Sequence, residues 1–213
     1  SSALSVPTIV AFRALLDNYN PDVKTRDALK KAEAQEEQAI PSKAMGRQIQ
    51  DHSELHVFAD ASKIRRPLKD VLKEIWFTMY TRAGRNEGSS GFEHSFVGEL
   101  KDGKVSGFHN WIQFGHEEKD GDLDYKGFMQ YVNLGNKGQI IKGRFTWLND
   151  LKPVGSLFVG TSPEIEMALY TVCFLIKPDQ QCQVKLNKKK VKIQTWTHNY
   201  KGKKLIGSAY PDI

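Results

Sequence analysis

The pair Asp102-Gly103, set between alternating apolar and polar residues, constrains the fold of this chain more than any other feature. Asp and Gly tolerate the positive φ angles of a two-residue type I′ turn, whose twist matches that of antiparallel strands. The turn fixes the register by placing Lys101 opposite Lys104. Counting outward from this pair predicts a β-hairpin over residues 91–112.

The same register places two histidines on one face of the hairpin. His94 lies opposite Trp111, and His109 is its diagonal neighbour, with Cβ atoms roughly 7 Å apart. Gly98 and Gly107 share this face, and we expect them to leave open space beside the rings. Because an unperturbed imidazole has a pKa of about 6.5, one ring can be neutral while the other is protonated. Two such rings can bracket a phosphate, whereas either one alone would be read as an ordinary half-buried strand residue.

Three segments in and after this hairpin resemble a known family. They are GFEHSFVGE (91–99), GFHNWI (107–112) and VGSLFVGTSPEIEMALY (154–170). They resemble the EndoU family of uridylate-preferring, XendoU-like endoribonucleases, which has a relative among nidoviral replicase proteins. The resemblance runs in motif order from Pro67 to Tyr210 and extends more loosely to the helical part before it. It implies cleavage of single-stranded RNA beside uridine, and no cleavage of DNA.

The resemblance implies that His94, His109 and Lys152 are the catalytic residues. One histidine removes the proton of a ribose 2′-hydroxyl, which attacks the adjacent phosphorus, and the other protonates the departing 5′-oxygen, leaving a 2′,3′-cyclic phosphate. We expect His109 to be the base and His94 the acid, with the reverse assignment open. Lys152 and the backbone amide of Gly107 are expected to stabilise the charge that develops on the phosphate oxygens.

Ser162, Ser208 and Tyr210 are the residues that the resemblance implies in substrate binding. Tyr210 is expected to stack on the base or ribose of the target nucleotide. Ser208 shares a strand face with it, so the two can act together. Ser162 either presents its hydroxyl and neighbouring amides to the uracil edge or caps the helix that begins at Pro163.

The resemblance also implies dependence on a divalent metal, Mn²⁺ or Ca²⁺, although the sequence shows no convincing ligand set. Glu93 and Glu99 are candidates either to orient an imidazole or to touch a metal. The carboxylate run 117–124 lacks the spacing of a calcium loop, and we predict that it is a solvated loop. In the alternative, the metal acts on the RNA by neutralising its charge.

Composition and charge are those of an ordinary globular protein with a basic surface. The chain has 31 Lys and Arg against 25 Asp and Glu, a net charge of +6, which favours polyanionic partners. It has no apolar run of about eighteen residues or more, so we expect no membrane span. Cys173 and Cys182 cannot build a disulfide framework and are too few for a zinc site, and Cys173 is predicted to be core. We expect a monomer, intracellular or secreted, and since the chain opens at Ser1 with no initiator Met we expect that any signal peptide or upstream domain has been removed.

The predicted fold class is α+β, with one catalytic domain over residues 1–213. Residues 1–88 are expected to be mainly helical. Residues 89–150 form a lobe with the two histidines, and residues 151–213 form a second β-rich lobe with Lys152 and a C-terminal meander. Antiparallel sheets of the two lobes flank the active-site cleft.

The individual elements follow from hydrophobic periodicity and turn residues. Helices are predicted at residues 8–16, 23–39, 43–55, 67–80 and 163 to about 178. Strands are predicted at residues 145–151, 181–186, 191–197 and 204–210. The glycine-rich stretch 82–91 is expected to be a substrate-facing loop. The lysine-rich turns 187–190 and 201–204 are either solvated or in contact with RNA phosphates.

Two other functions are compatible with these residues. A metal-dependent phosphodiesterase would use His94, His109 and a carboxylate such as Glu99 as ligands. A catalytically inactive homologue would retain RNA binding alone. All three catalytic positions hold competent residues, which favours the active endoribonuclease.

Overall fold

Two β-sheets and the helices packed on them make up the part of the chain that the computed structural model describes, residues 5, 7–16, 18–26 and 67–213. The helices are α1 (Pro7–Arg13), α2 (Leu68–Phe77), α3 (Trp111–Asp120) and α4 (Pro163–Ile176). The strands are β1 (Glu99–Lys101), β2 (Lys104–Ser106), β3 (Leu123–Asn133), β4 (Gln139–Trp147), β5 (Asp150–Val159), β6 (Gln181–Leu186), β7 (Lys189–Tyr200) and β8 (Lys203–Asp212). The predicted α+β class is confirmed.

The larger sheet has five strands in the order β1-β2-β5-β4-β3. The predicted turn is correct, since Lys101 pairs with Lys104 across the β1–β2 hairpin. The sheet is not purely antiparallel, because β2 meets β5 in a parallel pairing at Lys104 and Leu151. Strands β4 and β5 join across residue 150, where the sequence places a boundary between lobes, so residues assigned to both lobes form this one sheet.

The smaller sheet is the predicted C-terminal meander, with strand order β6-β7-β8. Its inner face is apolar and packs on α4, where Val184, Ile193 and Ala209 are buried. Its outer face is polar, as the alternation of burial along β6 and β7 shows. This is the pattern of an antiparallel sheet with one covered face.

The outer parts of the predicted hairpin are not strands. Glu93–Val97 is a π-helical turn, and Trp111 begins α3, so His94 does not face Trp111 in a ladder. Helix α3 begins where it does because the Asn110 side chain caps it, accepting from the amides of Ile112 and Gln113 at 3.0 and 3.2 Å. Residues 117–120 of the predicted solvated loop are the last turn of this helix.

Aromatic packing explains why residues 93–97, just before β1, form a helical turn and not a strand. Phe92 and Phe96 stack on each other with ring centroids 5.3 Å apart, and both contact Phe12 of α1. Trp76 of α2 lies 5.5 Å from Phe96 and is fully buried, as the helical stripe predicts. In a strand, positions 92 and 96 would share a face but lie about 13 Å apart, whereas a helical turn brings residues four apart next to each other, as the stacked rings require.

Helix α4 is predicted well, but two details differ. Ser162 occupies the N-cap position, and its carbonyl oxygen accepts from the Ile165 amide at 3.1 Å, but its side chain makes no capping hydrogen bond. The capping alternative for Ser162 is therefore wrong. Cys173 of α4 and Cys182 of β6 form a disulfide with Cα atoms 5.6 Å apart, a bond that the sequence analysis did not predict.

Some N-terminal predictions fall outside the described residues. The helix predicted at 43–55 and most of the one at 23–39 lie there. Residues 23–26, which are described, form a turn rather than helix. Just before this turn, the Pro21 carbonyl accepts a hydrogen bond from the Leu100 amide at 2.6 Å, so the N-terminal segment covers the free edge of β1.

Candidate active site

A cavity of about 460 Å³ lies between the two sheets. It brings together six of the nine predicted site residues: His94, Gly107, His109, Lys152, Ser208 and Tyr210. Ser162, Glu93 and Glu99 do not line it. The five-stranded sheet contributes β4 and β5 to its walls, and the three-stranded sheet contributes β7 and β8.

His109 is held in one tautomer by a backbone carbonyl. Its Nδ1 lies 2.8 Å from the carbonyl oxygen of Ser156. A carbonyl oxygen can only accept, so Nδ1 carries the proton and donates, which leaves Nε2 as the nitrogen with a lone pair. Burial and the nearby charge of Lys152 hold the pKa of His109 well below its usual value. The Tyr210 ring stacks on the imidazole with centroids 4.8 Å apart.

His94 has a charged partner instead of a neutral one. Its Nδ1 donates to Oε2 of Glu99 at 2.6 Å, so Nε2 is again the nitrogen left for the cavity. Burial lowers the pKa of His94 to about 4, and Arg82 adds to this, while the Glu99 carboxylate opposes the shift. The carboxylate makes His94 the ring with the stronger local support for a protonated state.

Arg82 and Glu99 form a buried network behind His94. The Nε atom of Arg82 lies 3.1 Å from Oε2 of Glu99, and its guanidinium also donates to Tyr80 at 2.6 Å. The hydroxyl of Ser89 donates to the other oxygen of Glu99. Glu99 therefore orients an imidazole, one of its two predicted roles. Arg82, expected in a substrate-facing loop, instead lies behind the histidine.

Lys152 reaches the cavity across a glycine. A Cβ placed on Gly155 would lie 3.2 Å from Cε of Lys152 and 3.4 Å from the Phe145 ring. The absence of a side chain at Gly155 therefore gives the lysine its route along β5. Burial lowers the pKa of Lys152 to about 8. The ammonium group is close enough to depress the pKa values of both histidines.

The glycines of the hairpin do not leave open space, contrary to the prediction. Gly107 has φ +65, and a Cβ there would lie 1.8 Å from the carbonyl oxygen of His94. A Cβ on Gly98 would lie 2.3 Å from the Phe108 ring. Both glycines permit close packing, and Gly107 lets the chain that carries His109 approach the chain that carries His94.

Several cavity residues carried no signal in the sequence. Ser156 holds His109, and its hydroxyl donates to the Pro211 carbonyl at 2.5 Å. Trp196 is 47% exposed at the rim, and its Nε1 donates to the Tyr210 hydroxyl at 3.3 Å. Lys142 lies 3.7 Å from Asp212 on the opposite wall. These positions come from cross-sheet packing, which no local pattern reveals.

The residues around the histidines do not fit a metal. Across residues 67–213 and the described N-terminal stretches, no group of three His, Cys, Asp or Glu side chains is placed to hold one. Glu99 already accepts from His94, Arg82 and Ser89, so its oxygens are committed to positioning. Glu93 is fully buried and does not reach the cavity.

Comparison with known proteins identifies the family. A family model described as "Endoribonuclease XendoU" matches residues 1–211. The chain is 35% identical over 214 residues to the uridylate-specific endoribonuclease EndoU of Drosophila melanogaster, covering 96% of this chain and 65% of that protein. It is 37% identical over 213 residues to the uridylate-specific endoribonuclease of Homo sapiens, covering 97% and 52%. The chain thus spans about half to two thirds of the length of these relatives.

A solved structure agrees with the sequence comparison. The structure described as XendoU, a splicing independent snoRNA processing endoribonuclease, superposes with a TM-score of 0.70 at 31% identity, covering 98% of this chain and 79% of that one. None of the helices in the described residues is long and apolar enough to cross a lipid bilayer. From the family match and the shared fold, the chain belongs to the XendoU endoribonuclease family.

Proposed function

We propose that this chain is a uridylate-preferring endoribonuclease that cleaves single-stranded RNA by attack of the ribose 2′-hydroxyl on the adjacent phosphorus. One observation carries the proposal. Each cavity histidine has its Nδ1 engaged, His94 by Glu99 and His109 by the Ser156 carbonyl, so both rings present Nε2 to one cavity beside Lys152. The two imidazoles can serve as acid and base, and Lys152 supplies a fixed cation, around a space that would hold one phosphodiester.

The partners of the two rings support an assignment of base and acid. His109 is held by a neutral carbonyl and is kept unprotonated by burial, so its Nε2 suits the removal of the 2′-hydroxyl proton. His94 has a carboxylate partner, which favours its protonated form, so it suits proton donation to the 5′-oxygen. Their lowered pKa values make both rings neutral near pH 7, and the negative charge of a bound phosphodiester would raise the pKa of each.

Charge on the phosphate is the second requirement of the reaction. The 2′-oxygen forms a bond to phosphorus while the bond to the 5′-oxygen breaks, and the non-bridging oxygens carry the additional negative charge. Lys152 offers a cation that is largely withdrawn from water, where its attraction for this charge is stronger than in bulk solvent. The Gly107 amide, at the same wall, is the proposed backbone donor.

Ser208 and Tyr210 are the proposed contacts to the nucleoside. They are two residues apart on β8 and both line the cavity, with Tyr210 already stacked on His109. A base beside the Tyr210 ring would place the ribose next to His109. Uracil recognition by Ser162 stays a prediction, because that residue lies at the start of α4 and not in the cavity wall.

Dependence on Mn²⁺ or Ca²⁺ stays a prediction. Because the described residues do not fit a metal beside the histidines, we derive no catalytic step through one. A divalent cation would act by neutralising RNA phosphates and so favouring a compact substrate. The expectations that DNA is not cleaved and that the protein is a monomer are likewise retained as proposals.

Mass analysis of the cleaved ends tests the reaction. A decanucleotide with one uridine is expected to yield a fragment that ends in a 2′,3′-cyclic phosphate and a fragment that begins with a 5′-hydroxyl. His94→Ala should retain RNA binding and lose cleavage. A 3′-hydroxyl with a 5′-phosphate, formed only when a divalent metal is present, would instead support a metal-dependent phosphodiesterase. Binding without cleavage by the unaltered protein would indicate an inactive homologue.

A further inference from the structure

The outer face of the three-stranded sheet is continuous with the cavity wall. Strand pairing places Trp196 opposite Ser208, and the next pair outward is Gln194 opposite Tyr210. Side chains of directly opposite residues point to the same face of a sheet. Because Trp196, Ser208 and Tyr210 line the cavity, the remaining outward-facing residues of this sheet extend its floor beyond the rim.

Three exposed lysines occupy that extension. The pairing places Lys192 opposite Gln183 and Asp212, and then Lys190 opposite Lys185. We call Lys185, Lys190 and Lys192 the lysine row. With a rise of about 3.3 Å per residue, Lys192 lies roughly 7 Å from the row of Tyr210 along the strand, and Lys190 roughly 13 Å.

The lysine row is not neutralised within the described part of the chain. None of its three members forms an ion pair with a described carboxylate, and Asp212, the nearest acid by register, binds Gln181 and Lys142 instead. Lys185 and Lys190 face each other directly, an arrangement of like charges that destabilises a sheet. Such an arrangement is relieved when an anion lies across the pair.

The second lysine-rich turn differs in this respect. Lys201 pairs with Glu87 at 2.7 Å, and Lys203 pairs with Glu74 at 3.3 Å. Both ion pairs connect the β7–β8 turn to the helical side of the molecule, away from the cavity. Lys190 belongs to the first predicted lysine-rich turn, 187–190, and together with Lys185 and Lys192 it lies on the cavity's own face without an ion pair to a described carboxylate.

We propose that the lysine row binds the phosphates of the RNA strand as it leaves the cavity, about two nucleotides from the base held at Tyr210. This proposal rests on the endoribonuclease function proposed above. The contacts are to phosphate and carry no sequence preference, so they add affinity for longer substrates without altering the choice of uridine. The chemistry at the histidines is independent of them.

Substrate length tests the proposal. A triple variant, Lys185→Gln, Lys190→Gln and Lys192→Gln, is compared with the unaltered protein on a uridine-containing dinucleotide and on a decanucleotide with one uridine. We expect KM for the decanucleotide to rise roughly 10-fold, and the slope of log Kd against log salt concentration to fall by about 2, as for the loss of three phosphate contacts on a single strand. The dinucleotide ends short of Lys190, so its KM should change by less than about twofold.

A matched control separates position from net charge. Lys69 and Lys73 on α2 and Lys119 on α3 are also exposed and lie off this face, so replacing these three by Gln removes the same charge. The control variant should leave KM for the decanucleotide and the salt slope near those of the unaltered protein. Equal effects in the two triple variants would overturn the proposal, because the row would then act only through net charge.

Direct binding keeps this test separate from the proposed reaction. Fluorescence anisotropy with the labelled decanucleotide measures the salt slope even if the protein cleaves nothing. In that case the proposed function fails, but RNA binding by the lysine row is still tested. An unchanged Kd and slope in the triple variant would overturn the row. The proposal would also be overturned if the triple variant kept RNA binding and lost binding to vesicles that contain phosphatidylserine. That result would assign the lysine row to a membrane surface.

Discussion

Replacing Glu99 by glutamine separates the electrostatic role of this residue from its packing. Its Oε2 accepts from His94 at 2.6 Å, and the side chain is fully buried, so the isosteric amide retains shape and removes one negative charge. A hydrogen bond to an ionised group contributes about 1.5–3 kcal/mol, and a neutral one about 0.5–1.5 kcal/mol. The difference, about 1–1.5 kcal/mol, corresponds to a decrease of about one unit in the pKa of His94.

The assay is kcat for a saturating uridine-containing oligonucleotide measured between pH 4 and 9, because kcat reports the pKa values of the complex, in which the bound phosphodiester raises the pKa of each histidine. If His94 is the acid, it must be protonated, so the loss of Glu99 should move the alkaline limb of the profile down by about one unit and leave the acid limb in place. Glu87→Gln, which removes a carboxylate paired with Lys201 outside the cavity, is the control and should move neither limb. A rate that falls by one constant factor at every pH would refute this reasoning.

Folding must be controlled in this experiment, because Glu99→Gln leaves the partly buried charge of Arg82 without its carboxylate partner. Breaking a fully buried pair on one side costs about 3–5 kcal/mol, and the cost here is lower because Arg82 is partly exposed and keeps its bond to Tyr80. The double variant Arg82→Gln, Glu99→Gln removes both charges and should recover part of the stability. Since Arg82 lowers the pKa of His94, the double variant should also move the alkaline limb less than Glu99→Gln alone.

Three further predictions concern stability and geometry. Burial holds the pKa of His94 at about 4, against 6.5 when unfolded, so the free energy of unfolding falls as pH falls from 6.5 towards 4. Urea unfolding should show a loss of about 2 kcal/mol from this histidine by pH 5. His94→Gln should remove that part of the pH dependence. Gly107→Ala should displace the His94 backbone and lower kcat/KM about 100-fold, whereas Gly103→Ala, also at positive φ but with no atom within 4 Å, should not; equal losses would contradict this account. Replacing Cys173 and Cys182 together by Ala should lower the free energy of unfolding by about 2–3 kcal/mol, and reductant should then have no further effect.

Local chemistry explains which parts of the fold the sequence predicts. The Asp102-Gly103 turn needs positive φ at both residues, a demand that few dipeptides meet, and so its register is correct. The C-terminal meander and α4 follow from periodicity over ten or more residues. The outer hairpin fails because Phe92 and Phe96 are drawn into a cluster with residues of α1 and α2, a contact that no local pattern encodes. Asn110 did carry a usable signal, as a helix cap placed before an apolar run.

The site residues also differ in how far the sequence predicts them. His94 and His109 are brought together as predicted, although by a π-helical turn and a helix start rather than by a ladder. Lys152 is one lysine among many, and only the family resemblance distinguishes it before the fold is known. Arg82 is 17 positions from Glu99 in the chain, and nothing in either segment indicates their ion pair. Residues that act through burial and distant pairing are found only once the packing is known.

The most direct test of the account is the removal of one oxygen atom from the substrate. Two decanucleotides are compared, identical except that the single uridine in one is replaced by 2′-deoxyuridine. We predict that the protein binds both with similar affinity and cleaves only the one with the 2′-hydroxyl, because that group is the nucleophile. Cleavage of the deoxy oligonucleotide at that position, at a comparable rate, would contradict the paired-histidine mechanism.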